Sequence, residues 1–156
     1  MITNQHHRMK TRSKNFKGWD KFKPVEVLTV IDTKTETTIH IEPHAKPRMT
    51  QRDKWNPTAA AKRYFDFRSV IQAAQKKHGI ELPDVLNVTF VCEAPKSISK
   101  KKRLEMMGTA KQTRPDLSNY VKALEDCLSK EDAYIWRYEN VEKIWGDKGM
   151  IVIRKP

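Results

Sequence analysis

The chain has 156 residues, enough for one domain with a real core, and its 31 Lys and Arg against 19 Asp and Glu leave a net charge of +12. That excess points to a polyanionic partner, because clustered cations displace counterions from a phosphate backbone. No apolar run approaches a membrane span, the N-terminal stretch has no apolar secretory centre, and Cys92 and Cys127 lack metal-ligand spacing, so the composition argues against membrane, secreted and zinc-bound classes and for a reducing, cytoplasmic setting.

Residues 1–24 are basic, polar and without period, and read as an arm ahead of a domain over 25–156. Two β-branched runs, 25–31 and 37–43, predict two strands joined by a turn. A basic loop follows, carrying Lys46, Arg48, Arg52 and Lys54. Pro57 and Gly79 bracket a helix in which Phe67, Val70, Ile71 and Ala74 recur at helical spacing. Residues 85–95 alternate and predict a strand. The piece over 96–115 reads as irregular, with Lys96, Lys100, Lys101, Lys102, Arg103, Lys111 and Arg114 against the single acid Glu105. A second helix starts at Asp116, a preferred N-cap residue, and buries Leu117, Tyr120, Val121, Leu124 and Leu128. Residues 137–145 and 150–154, split by Gly146-Asp147-Lys148-Gly149, predict a C-terminal hairpin. The fold expected is α+β, a mixed sheet of four or five strands with two main helices.

The second helix carries the chemistry. At 100° per residue, Ser118, Lys122 and Glu125 share one polar stripe, with Asp126 beside it and Asp116 at the helix mouth. Asp132 follows just past the helix end, in a segment expected to fold back beside the helix so that one chain supplies both Asp116 and Asp132, rather than two chains across a dimer interface. Carboxylates suit a hard cation such as Mg²⁺, and a neighbouring Lys can neutralise charge on a phosphate being cleaved. The same residues also make ordinary caps and surface pairs. His40, His44 and His78 have no partner at metal or triad spacing. Trp19, Trp55, Trp136 and Trp145 could stack on bases, although Trp136 and Trp145 fall in strand-like segments and are expected in the core.

Pro115-Asp116-Leu117-Ser118-Asn119-Tyr120-Val121-Lys122, then the acidic pair Glu131-Asp132 before an apolar pair, resembles the RusA family of Holliday junction resolvases, above all its phage-encoded members. His40–Thr50 is similar to the family's first strand and proline-rich loop, and the similarity runs over about 36–154. The resemblance implies a metal-dependent endonuclease that resolves four-way DNA by paired nicks in recombination and repair. It implies Mg²⁺ or Mn²⁺ as cofactor, branched duplex DNA as substrate, a homodimer matching the junction's two-fold symmetry, and action in a bacterial host cytoplasm. Asp116 and Asp132 match metal-binding catalytic aspartates, and Lys122 the essential lysine. Ser118 stands where the family has a third aspartate, and Glu125, about 10 Å further along the axis, is the residue that would compensate. The basic residues of both loops would line the junction. The alternative is a binder of branched DNA whose cleavage is weakened by Ser118. A basic RNA-binding domain ranks last, because no aromatic RNP1-like strand is present.

Overall fold

The computed structural model describes residues 28–156, the side chain of Asp132 excepted. The arm expected at 1–24 lies outside the described residues. The strands are β1 (Val30–Asp32), β2 (Glu36–Ile39), β3 (Val85–Glu93), β4 (Arg137–Gly146) and β5 (Met150–Arg154). They form one sheet in the order β1-β2-β5-β3-β4, antiparallel throughout except for the parallel β3–β4 pair. The helices are α1 (Ala59–His78), α2 (Lys100–Met106) and α3 (Leu117–Leu128). The mixed five-stranded α+β architecture agrees with the sequence reading.

Local signals explain the two long helices. Thr58 caps α1 by accepting from the Ala61 amide at 3.2 Å, and Gly79 ends it at φ 65°, a left-handed conformation open to glycine. The buried positions Tyr64, Phe67, Ile71 and Ala74 form one stripe of α1. In α3 the buried stripe is Tyr120, Val121, Leu124, Cys127 and Leu128. Both stripes join one cluster with Leu86, Val88, Phe90 and Cys92 of β3 and Ile151 and Ile153 of β5. Burying a Leu or Phe side chain contributes about 1.5–3 kcal/mol, so this seam holds α3 against the sheet. The opposite sheet face is polar: Thr89 donates to Glu142 at 2.9 Å, and Arg154 donates to Thr89 at 2.8 Å.

Three expectations are corrected. The C-terminal hairpin does not form, because β3 lies between β4 and β5. The glycines of that turn answer close approach instead: a Cβ at Gly146 would strike Val91, and one at Gly149 would strike Glu42. Residues 96–115 are not wholly irregular, since Ser99 caps the short helix α2 by accepting from Lys102 at 3.3 Å. Trp136 is not in the core; it is 68% exposed, and its indole N–H donates to Asp84 at 3.0 Å. Trp145 does pack against the core.

Candidate nucleic-acid interface and metal site

Asp116 sits at the N-cap of α3 with extended backbone (φ −66°, ψ 144°), and its carbonyl accepts from Asn119 at 3.0 Å. Its exposed carboxylate makes no capping bond. Ser118 and Lys122, one turn apart, are exposed on the same helix. The first half of α3 therefore presents a free carboxylate, a hydroxyl and an ammonium to solvent.

Two lysines fix the turn leading into Asp116. Lys143 of β4 donates to the Thr113 carbonyl at 2.7 Å and to the Pro115 carbonyl at 2.6 Å. Lys111 donates to the Thr113 carbonyl and hydroxyl at 3.1 Å each, and to the Arg114 carbonyl at 2.6 Å. Lys111 is 6% exposed and lies 5.0 Å from the Trp145 ring centroid. Burial lowers its pKa below the usual lysine value. The segment before it is laced onto β4: Gly108 donates to the Trp145 carbonyl, Trp145 to that of Thr109, and Lys111 to that of Lys143. Sequence reasoning missed Lys143. No local pattern marks it, because its role arises only when parallel pairing lays β4 beside β3 and carries residue 143 to the start of α3.

Asp132 lies at the other end of α3. Its backbone opens a 3-10 turn, Asp132–Tyr134, and its neighbours Glu131, Ala133 and Tyr134 line a cavity of about 430 Å³ with Leu128, Leu82 and Gln75. The twelve residues of α3 span about 18 Å; the chain beyond them enters β4 where the Trp136 amide donates to the Asp84 carbonyl, whereas Asp116 follows Pro115, held by Lys143 near the other end of β4, so the backbone carries Asp116 and Asp132 toward opposite ends of that strand. Glu125 is engaged at that far half, where Tyr138 donates to it at 2.8 Å and the bond raises the Tyr138 pKa. Asp126 accepts from Tyr64 at 2.8 Å and pairs with Lys46, a scaffold role. Among the described residues, no three His, Cys, Asp or Glu side chains gather as a metal site. The oxygen donors on the first half of α3 suit a hard cation that takes one or two carboxylates and completes its shell with water and phosphate.

The cations expected to meet DNA divide into two groups. Lys46 pairs with Asp126, Arg103 with Glu93 at 3.3 Å and Asp147 at 3.7 Å, and Lys111 is buried. These three brace the fold, and for Lys111 the expected place on the surface is corrected. Arg48, Arg52, Lys54, Lys96, Lys100, Lys101, Lys102 and Arg114 are exposed. Lys96 comes no closer than 3.9 Å to Glu93. Lys100, Lys101 and Lys102 occupy the first turn of α2, where the helix dipole disfavours cations. A polyanion alongside would relieve that repulsion.

No helix among the described residues is long and apolar enough to cross a membrane. No curated protein and no solved structure matches the chain. The family model described as "Endodeoxyribonuclease RusA" matches residues 39–154, which takes in the strands from Ile39 onward, all three helices, Asp116, Lys122 and Asp132. A basic α+β domain that exposes an uncommitted carboxylate at a helix mouth, and that matches this model over most of its length, belongs to the RusA family of Holliday junction endodeoxyribonucleases.

Proposed function

We propose that the protein is a divalent-metal-dependent resolvase that acts as a homodimer and nicks a four-way junction at two symmetric positions. The observation that carries this reading is the uncommitted Asp116 carboxylate, which follows a turn held by Lys111 and Lys143, within a family of junction endonucleases. Asp116 and the Ser118 hydroxyl would hold Mg²⁺ or Mn²⁺ together with Asp132. Asp132 would come from the second protomer, since α3 keeps it from Asp116 in its own chain. The bound cation would supply activation of water and neutralisation of charge on the scissile phosphate.

The chain's own residues do the rest. Lys122, exposed one turn beyond Ser118, places an ammonium where it can stabilise the pentacovalent transition state. Lys111 and Lys143 keep the Asp116 turn from shifting, and a misplacement of about 1 Å is enough to cost 10²-fold in rate. The exposed Tyr134 of the 3-10 turn, Trp136 after it and Tyr138 at the start of the edge strand β4 offer the second protomer an apolar surface. Arg48, Arg52, Lys54, Lys96, Lys100, Lys101, Lys102 and Arg114 would contact phosphates. Cytoplasmic action, in a host cell for a phage-encoded chain, accords with two buried free thiols.

The second reading is a binder with weakened cleavage, favoured by Ser118 at the position of a family aspartate. Incubation of the protein with a synthetic four-way junction or with linear duplex, with and without Mg²⁺, separates the two. Paired nicks in the junction that require the cation support the resolvase. Tight junction binding without nicks supports the binder.

A further inference from the structure

Trp55 is 89% exposed, more than any other large apolar side chain described. It is not on a loose loop. Asp53, 4% exposed, accepts from the Thr50 amide and hydroxyl at 2.8 Å each and from the Thr58 amide at 3.0 Å. Those bonds hold the Asp53 pKa below the usual carboxylate range, so the fastening is ionised at neutral pH. Between the fastened ends, Gln51–Lys54 forms a 3-10 turn, and the Trp55 and Asn56 amides both donate to the Arg52 carbonyl, at 3.0 and 2.9 Å. Thr58 then caps α1, which makes the far end of the turn rigid as well. At the near end, the Lys46 amide donates to the Asn119 carbonyl at 2.9 Å, which ties the run to the first turn of α3, beside Asp116.

The turn thus holds an indole out into water, flanked by the exposed cations Arg52 and Lys54, with Arg48 a few residues before it. The Asp53 charge is spent on backbone amides, and Arg48, Arg52 and Lys54 make no ion pair among the described residues. A flat ring framed by cations is the chemistry that stacks on a nucleobase while neighbouring phosphates are neutralised. Intact duplex offers such a ring nothing, because each base face already stacks on the next. A branch point does, since stacking is interrupted where the arms part.

We propose that Trp55 is a structure-selectivity residue: its indole stacks on a base face left open at the DNA branch point, while Arg52 and Lys54 hold the flanking phosphates. The proposal rests on the branched-DNA reading above and does not depend on cleavage.

The test is binding without metal, to a four-way junction and to linear duplex of the same sequence, by wild type, Trp55→Ala and Trp55→Phe. Trp55→Ala should weaken junction binding by about 5- to 150-fold, the span one stacked base supplies. It should leave duplex binding and the salt slope of both unchanged, and Trp55→Phe should recover most of the loss. A 2-aminopurine placed at the branch point should be quenched by wild type and by Trp55→Phe, and not by Trp55→Ala. Equal losses on junction and duplex, or no loss on the junction, overturn the proposal. Wild-type cleavage with a silent Trp55→Ala refutes this inference alone, whereas selective junction binding without any cleavage refutes the resolvase reading and leaves Trp55 standing.

Discussion

Mixing two inactive variants tests where the second carboxylate comes from. Asp116→Asn and Asp132→Asn each remove one carboxylate assigned to the metal, so either homodimer should bind a four-way junction and fail to nick it. Within a chain, Asp116 precedes α3 and Asp132 follows it, and the helix between them spans about 18 Å, far more than bonds near 2.1 Å to one Mg²⁺ can bridge. If the partner supplies Asp132, a heterodimer of the two variants contains one site that lacks both carboxylates and one that keeps both. Random assortment makes about half of the dimers mixed, and one of their two sites works, so nicking should return to about a quarter of the wild-type level. The products should be single nicks and not paired cuts, because each mixed dimer has one competent site. The assay is a denaturing gel of an end-labelled junction incubated with co-expressed variants, with heterodimer content checked by native mass spectrometry. A mixture that contains heterodimers and stays silent refutes the shared site, and wild-type rates from either variant alone remove that carboxylate from the mechanism.

Lys111→Met should lower stability by about 1–3 kcal/mol in urea titration, the cost of losing the ammonium's part-buried bonds to Thr113 and Arg114. It should also reduce the single-turnover nicking rate far more than junction affinity. Ser118→Asp should raise nicking if the missing carboxylate limits the rate, read from single-turnover kinetics at saturating Mg²⁺. Replacing Lys100, Lys101 and Lys102 together with Ala should flatten the salt dependence of junction binding by about 2 to 3 in log–log slope, near 0.9 per lost phosphate contact. Cys92 and Cys127 are 2% and 3% exposed, and burial pushes the Cys127 thiol up to about 12, so neither should react with a disulfide reagent at pH 8 until the protein is unfolded.

Elements that declare themselves through local chemistry were legible. The helix expected between Pro57 and Gly79 runs over Ala59–His78, with its apolar stripe and glycine stop acting as expected, while its cap is Thr58, one residue after the proline that marked the start. The β3 run alternates and is buried on alternation, as a central strand requires. What the sequence hid is long-range pairing. A Gly-Asp-Lys-Gly turn between two strands reads as a hairpin by local rules, yet β5 pairs with β2 and β3. The two glycines were correct signals of tight backbone, but of approach to Val91 and Glu42 and not of chain reversal. Trp136 misled in a similar way: apolar character placed it inside, whereas its N–H reaches Asp84 at the surface. At the site, Asp116, Ser118 and Lys122 could be found because one helix start holds them together. Lys143 could not, because only the fold carries it there.

The placement of charge separates scaffold from site. In a chain of net charge +12, every acid near a basic segment has cations to choose from. Asp126 takes Lys46, Glu93 and Asp147 take Arg103, and Asp32 takes Lys155 at 2.7 Å. Asp53 is surrounded by Arg52 and Lys54 in sequence and still spends its charge on amides. Asp116 stands at the mouth of α3, two residues after Arg114, with no ion pair among the described residues and no capping bond. Lys111 and Lys143 instead donate to the carbonyls of Thr113, Arg114 and Pro115 just before it. That arrangement steadies the turn through its carbonyls and gives the helix no side-chain cap. It leaves a negative charge fixed in position and uncompensated, which is what a site needs if its cation is to come from solution and be shared with a phosphate.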